Sequence, residues 1–358
     1  MIYVNARFLT QNLTGVQRFA EEISLELKKI RNDIVFLSPC DILRNDIASK
    51  LEVVKIGKRS GHYWEQVELP NYLRKNGSCL LINLGNTGPV FYKNQVVTHH
   101  DVTYKKFPQS YSLKFRLVYN VLVPLILRNS RSLITVSEFS KKEIIDEYNY
   151  DRKKISVIYN AASGFFNPSN EKNEAQNRFF LAVSSPNFHK NFHGLIRAFS
   201  NTDDINGFSL KIIGEKNKNF NGIDLEELSH NNNIEFLGRV SDKELANLYS
   251  TAYAFIFPSF YEGFGIPPLE AQACGCPVLS SHAASMPEVL SDSALFFDPH
   301  SEKEIADTIR YIAHHPNERV EFIERGYKNI ERFSWARSAD KLSLLINDLN
   351  LNNALKQV

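Results

Sequence analysis

The chain has 358 residues, is 43% hydrophobic and 23% charged, and carries 16 Gly and 14 Pro, which excludes a disordered, collagenous or low-complexity protein and favours two domains. Its 42 Lys+Arg against 40 Asp+Glu leave a net charge of +2, too balanced for a nucleic-acid coat protein. Cys40, Cys79, Cys274 and Cys276 lack zinc-site spacing and are too few for a disulfide framework, so a reducing, cytosolic compartment is expected.

Short β-branched or aromatic runs alternate with longer amphipathic segments from the start of the chain, the sign of parallel-sheet α/β units. Met1 to Ala6 reads as a strand rather than a signal peptide. The strand candidates that follow are Ile2–Asn5, Val35–Ser38, Leu51–Ile56, Cys79–Leu84, Gln95–Thr98, Ser132–Val136 and Ile155–Tyr159. Helical patterns fall on Val16–Ile30, Tyr63–Lys75, Ser110–Asn129 and Ser137–Tyr148, the last with Ser137 as N-cap. The longest apolar stretch, Leu117 to Leu127, is broken by Asn120 and Pro124, well short of the roughly 20 residues that a membrane span needs. Lys105, Lys106, Lys114, Arg116, Arg128 and Arg131 surround it; the segment suits either docking on anionic headgroups or a core helix with solvated basic flanks.

Ala161 to Arg178, rich in Asn, Ser, Gly and Pro, is the natural linker. The same alternation then restarts, with strands at Phe180–Ser184, Leu210–Ile213, Ile234–Leu237, Ala254–Phe257, Pro277–Ser280 and Ala294–Phe297. Helices are expected at Asn191–Ser200, Asp242–Ser250, Pro267–Cys274, Glu302–His314 and Glu318–Arg332, and a final one at Ala336–Leu349. Two doubly wound domains with a cleft between them follow, and ligands of such sheets bind in loops beyond the strands' carboxyl ends. The charge is divided as well: up to Asn170 there are 24 basic and 15 acidic residues, +9, and the remaining 18 and 25 give −7. Two modules with different neighbours or an unevenly solvated surface both produce such a split.

Neither G-x-G-x-x-G nor G-x-x-x-x-G-K-[ST] follows any strand, no Asp-x-Asp occurs, and no His/Cys/carboxylate cluster has metal-ligand spacing. The informative stretch runs from Phe257 to Ala271, Phe-Pro-Ser-Phe-Tyr-Glu-Gly-Phe-Gly-Ile-Pro-Pro-Leu-Glu-Ala. An apolar strand ends in a glycine-rich loop, and two prolines then open a helix, where their missing N–H groups cost nothing. Gly263 and Gly265 allow close backbone approach, and the helix N-terminus behind them is an anion site. Glu262 and Glu270 flank it; beside phosphates, carboxylates serve to accept hydrogen bonds from sugar and ribose hydroxyls. Taken singly, Glu270 reads rather as a partner of the helix dipole.

Glu262, seven residues and then Glu270, with Gly-Phe-Gly-Ile-Pro-Pro-Leu between them, resembles the retaining GT-B glycosyltransferases of the family that includes bacterial mannosyl- and glucosyltransferases of surface polysaccharides. Ala273 to Val278, Met286 to Val289, Ala294 to Pro299, Asn5 to Phe8, Thr14 to Arg18, His100-Asp101, Thr135 to Ser140 and Phe333 to Trp335 fall in the family's order, so the resemblance covers nearly the whole chain. It implies an α/β GT-B fold of two Rossmann-like doubly wound parallel-sheet domains facing a central cleft. Residues 1–165 would take the acceptor, 166–335 the nucleotide-sugar donor, and 336–358 would form a helix packing back toward the first domain.

The same resemblance implies roles. Glu262 contacts hydroxyls of the donor sugar, amides around Phe264, Gly265 and Ile266 touch sugar and phosphates, and Glu270 holds the ribose. Lys190 aligns with the diphosphate-binding lysine, and His100 with the histidine that reaches the donor sugar. Gly15 and Val16 offer amides to the diphosphate, and Gly238, Arg239 and Val240 line the base pocket. The chain departs from the family where an arginine is usual and Ser184 stands, and where a basic residue precedes the lysine and His189 stands; either His189 or Arg239 replaces the lost contact. The implied activity is metal-independent, cofactor-free transfer with retention from a nucleotide diphosphate sugar, GDP-mannose first. Its acceptor would be a saccharide, lipid-linked, in O-antigen, capsule or exopolysaccharide assembly. The expected place is the cytoplasm, at the inner face of the bacterial membrane where peripheral contact occurs, with no nucleic-acid partner. A sugar-nucleotide epimerase, a phosphorylase and a non-catalytic carbohydrate-binding homologue are the alternatives on this scaffold.

Overall fold

The structure, a computed structural model, describes residues 1–168, 178–183, 187–202, 204–205, 207–214 and 233–354, with side chains through Leu351 at the C-terminal end. The chain forms two compact units. The first comprises Met1–Val102, Ser112–Asn160 and Ser334–Val358, the second Thr103–Tyr111 and Ala161–Phe333.

The first unit holds a parallel sheet of β1 (Ile2–Asn5), β2 (Ile34–Ser38), β3 (Val54–Lys55), β4 (Leu80–Asn83), β5 (Gln95–Thr98), β6 (Ser132–Thr135) and β7 (Ile155–Val157). Its order is β3-β2-β1-β4-β5-β6-β7. The chain winds outward from β1 in one direction, then crosses back to continue from β4 in the other, so the switch point lies between β1 and β4. Every residue of β1, β4, β5 and β6 is buried, which explains why apolar residues stand side by side at their centres in place of an alternating pattern. Trp64 anchors one face of the core, fully buried beside Leu37, Leu69 and Leu81, and its indole N–H donates to Ile56 O at 2.8 Å.

The second unit repeats the plan with β8 (Phe179–Val183), β9 (Ser209–Ile213), β10 (Ile234–Gly238), β11 (Ala254–Phe257), β12 (Val278–Ser281) and β13 (Ala294–Phe297) in the order β10-β9-β8-β11-β12-β13, all parallel among the described residues. Its switch point falls between β8 and β11. Phe180, Leu195, Ile212, Ile256, Leu279 and Phe297 meet in its core. The last helix, Trp335–Ala354, belongs to the first unit: Trp335 packs edge-on against Phe19, and Arg31 Nη1 donates to Ser343 Oγ at 2.9 Å and Asn347 Oδ1 at 2.7 Å.

Three local expectations are corrected. Leu51–Ile56 is not one strand: Asn45–Leu51 is a helix that buries Ile47, Ala48 and Leu51, Glu52 ends it at a left-handed φ of 54°, and only Val54–Lys55 pairs, at the exposed sheet edge. The β-branched Val53, Val54 and Ile56 mask the helix end in the sequence. Tyr63–Lys75 begins instead at Gly61 and contains a wide π turn, Trp64–Glu68, directly before Leu69-Pro70; Pro70 has no N–H to continue a tighter ladder. Ser110–Asn129 starts later, at Leu113, where the Ser112 hydroxyl accepts from Phe115 N. That helix is not a core helix with wet flanks. It buries Val123, Ile126 and Leu127 but exposes Leu113, Leu117, Val118, Val121 and Leu125 by 71, 70, 45, 63 and 42%. No described helix is long and apolar enough to cross a membrane.

Candidate functional site

The second unit places the loops after β8 and β11 side by side at its switch point, and each arrives there for a local reason. After β8, Phe188–Lys190 makes one tight turn, and Asn191, left-handed at φ 54°, opens the helix Phe192–Ser200. The buried Asn191 amide donates to Pro258 O at 3.1 Å and Pro299 O at 2.7 Å, fastening this turn to the ends of β11 and β13. Phe260 N donates to His189 O at 2.8 Å, a second tie between the two loops.

After β11 the chain is held from the other side. Ser281 Oγ donates to Ser259 O at 2.7 Å and Ser285 Oγ to Glu262 O at 2.9 Å. Gly265 then takes φ +86° as N-cap of the helix Ile266–Ala273. An ideal Cβ there would stand 2.5 Å from the mobile end of Met286, Cε, so it is the sign of φ rather than the packing that calls for glycine. Pro267 and Pro268 stand in the first turn, where their missing N–H groups cost nothing, and this helix start carries the positive end of the helix dipole.

These ties bring Lys190 and Glu262 together: Lys190 Nζ donates to Glu262 Oε1 at 2.7 Å, with side chains 20 and 13% exposed. A partly buried ammonium–carboxylate pair beside a helix N-terminus offers a donor for phosphate oxygens and an acceptor for hydroxyls within one hydrogen-bond length. Glu270 is buried on the helix that follows. Phe264 is buried against Phe333.

His189, one of the two residues expected to replace the lost basic contact, lies in the same turn. Its ring is buried, with Nδ1 2.9 Å from Ser110 Oγ, stacked on Tyr111 and tilted against Phe107. Phe107 in turn stacks on Phe260. Thr103–Tyr111 thus clasps the lysine loop, a function no local pattern in residues 103–111 announced. Ser184 lies outside the described residues. Gly238, left-handed at φ 71°, ends the edge strand β10, with Arg239 and Val240 following it.

The remaining expected residues belong to the first unit. His100 follows β5; its ring Nε2 lies 3.2 Å from Leu84 O and its amide donates to Asn86 Oδ1 at 3.0 Å. Burial holds its pKa below the ordinary value, against the Leu84 carbonyl and Asp101, which pull it upward. The carbonyl contact assigns the proton to Nε2 and leaves Nδ1 as an acceptor. His99 is buried beside Tyr148 with its pKa lowered by burial to about 4. Gly15 opens the helix Gly15–Ile30 behind the N-cap Thr14, and Val16 follows it. Among the described residues no group of His, Cys, Asp or Glu could hold a metal ion. Cys274 and Cys276 are buried thiols pushed up to about 11 and about 12 by that burial.

Comparison with known proteins bears on the whole chain. Residues 165–329 match the model described as glycosyl transferases group 1, and residues 13–163 that of glycosyltransferase family 4. O-antigen chain mannosyltransferase RfbU of Salmonella typhimurium is 35% identical over 259 residues, 71% of this chain and 70% of that protein. O-antigen chain mannosyltransferase B of Escherichia coli is 31% identical over 267 residues, 69% and 70% of the two chains. Anabaena HepE, solved with UDP-glucose, superposes with a TM-score of 0.74 at 16% identity over 97% of this chain and 99% of that one.

Proposed function

Since the chain belongs to the group 1 and family 4 glycosyltransferases and is a glycosyltransferase built from two Rossmann-like domains of the GT-B kind, we propose that it transfers mannose from GDP-mannose, with retention and without a metal, to a lipid-linked saccharide of a surface polysaccharide. The observation that carries this reading is the 2.7 Å Lys190–Glu262 pair at the switch point of the second sheet. The mannosyltransferase relatives favour the sugar, and a structural neighbour solved with UDP-glucose favours a nucleotide-sugar donor.

In this mechanism the donor diphosphate lies against the helix end at Ile266, where the amides of Phe264, Gly265 and Ile266 and the Lys190 ammonium meet its charge. Charge grows there as the anomeric C–O bond breaks, so donors fixed in advance lower the barrier, about 3–4 kcal/mol for one such donor. Glu262 accepts from hydroxyls of the mannose, and Glu270 from the ribose. The acceptor hydroxyl bonds to the anomeric carbon on the face the diphosphate leaves, and its proton passes to the departing phosphate oxygen. Glu262 orients and forms no covalent bond. His100, neutral with Nδ1 as the acceptor nitrogen, accepts from a donor-sugar hydroxyl, and Gly15 and Val16 supply further amides to the diphosphate. Gly238, Arg239 and Val240 line the base pocket; Ser184 and His189 stand where the family carries basic residues.

The lipid-linked acceptor agrees with the exposed stripe Leu113, Leu117, Val121 and Leu125, which repeats every fourth residue along one helix face and lies among Lys114, Arg116 and Arg128. The test is product analysis: GDP-mannose with an alkyl mannoside acceptor should give GDP and an α-linked mannoside by NMR. A β-linked product, or turnover of another nucleotide sugar in preference to GDP-mannose, overturns the assignment.

A further inference from the structure

The switch point of the first sheet is occupied by a polar network that the donor mechanism leaves unused. Asn5 ends β1 and Asn83 ends β4, and both are buried. Asn5 Nδ2 donates to Asn83 Oδ1 at 3.0 Å and to Glu65 Oε1 at 3.1 Å. Asn83 Nδ2 passes the chain on to Gln95 Oε1 on β5 at 3.0 Å. Gly88 packs so tightly on it that a Cβ would stand 2.8 Å from the amides of Asn83 and Gln95.

At the end of this network sits Arg7. Its Nε donates to Glu65 Oε1 at 3.0 Å and its Nη2 to Thr87 Oγ at 2.9 Å, while the Thr87 hydroxyl donates to Glu65 Oε2 at 2.9 Å. Glu65 lies in the π turn, 1% exposed, against 13% for Arg7. Burial would raise the Glu65 pKa, but Arg7, with His62 and Thr87, carries it down to about 2. A buried ion pair is an expensive way to gain stability; its natural return is a guanidinium fixed in one orientation. Two of the five N–H groups of Arg7 are spent on Glu65 and Thr87, and the other three find no acceptor among the described residues.

We propose that Arg7, fixed by Glu65 and Thr87 at the switch point of the first sheet, is the group that positions the acceptor saccharide. The inference rests on the glycosyl-transfer reading above. Ligands of doubly wound sheets sit where the strand order reverses, and in the second unit Lys190 and Glu262 occupy that same place in the topology. Because Glu65 is ionised, the Arg7 pair is neutral as a whole. Its unspent N–H groups therefore suit lone pairs of hydroxyl and ring oxygens better than a second charge. Tyr119, whose ring stacks on Phe115 at 3.9 Å, is near enough for its hydroxyl to feel both Arg7 and Glu65.

The test uses the full-length enzyme, GDP-mannose and the alkyl glycoside that the wild type mannosylates best. Arg7→Lys and Thr87→Val should raise the acceptor KM at least tenfold while the donor KM stays within twofold, and Glu65→Gln should follow them if it folds. The melting shift that GDP-mannose produces should persist in all of them, whereas Lys190→Ala, which strikes the donor site, should lose it. An unchanged acceptor KM in Arg7→Lys and Thr87→Val overturns the proposal, as does a donor KM that rises in parallel. Relief of the acceptor defect by inorganic phosphate in Arg7→Lys would likewise overturn it, since it would assign the site to an anion. If the wild type turns over no nucleotide sugar, the glycosyl-transfer reading itself fails.

Discussion

At the scale of single residues, composition and neighbours misjudge what burial does. Glu21 looks like one more acid on the polar side of the first helix, next to Glu22, yet it is buried, with Oε1 unpartnered among the described residues and Oε2 3.2 Å from Arg44. Burial raises its pKa to about 7, outweighing the pull of Arg44 and Arg18. An acid with a raised folded pKa stabilises the fold while protonated. That contribution is complete below the unfolded value near 4.5 and is lost as pH rises through about 7. Glu21→Gln keeps the shape and removes the loss, so it should exceed the wild type at pH 8.5 by up to about 3 kcal/mol in denaturant unfolding and differ little at pH 4.5. Parallel stability curves for the two proteins would contradict the assignment. Lys190 and Glu262 were both visible in the sequence through their surroundings, one after a strand and before a helix, the other in a Gly-Phe-Gly loop. Their 2.7 Å contact was not, because it depends on Asn191 and on Ser281 and Ser285 tying separate loops.

At the scale of elements, the legible parts were those whose burial is uniform along the chain. β4, β5 and β11 are short segments with every residue inside, and their adjacent apolar residues mark them out. Elements whose environment changes midway were misread, as at Asn45–Leu51, where a helix end abuts an exposed edge strand. Thr103–Tyr111 was opaque for another reason: it sits with the second unit through Ser110 and the rings of Phe107 and Tyr111, and contacts across some 80 positions leave no periodic trace. Leu113–Arg128 lies between these cases, its length plain in sequence but its exposed face decided only by packing. Each of its exposed side chains stands to gain about 1.5–3 kcal/mol on entering a bilayer interface, and each flanking basic residue about 1 kcal/mol at an anionic surface. Leu117→Asp combined with Val121→Asp should abolish flotation with vesicles containing anionic lipid and leave turnover of a soluble acceptor intact. Flotation equal to the wild type would remove the membrane from the account.

At the scale of the molecule, two sheets of the same winding carry different chemistry at the same topological place. The first has an arginine locked by a buried carboxylate at its switch point, the second a lysine–glutamate pair beside a helix N-terminus. The near-zero net charge conceals an uneven chain, +9 up to Asn170 and −7 beyond it. That division follows the two units closely enough that salt should weaken vesicle binding more than donor binding. The repeated alternation of strand and helix made the doubly wound class readable from sequence alone; what each switch point holds required the folded loops. Glycosyl transfer depends most directly on the second of these sites. Transfer from GDP-mannose should fall at least a hundredfold in both Lys190→Ala and Glu262→Ala, with melting temperatures close to that of the wild type. Transfer within a few-fold of wild type in either folded variant would contradict it.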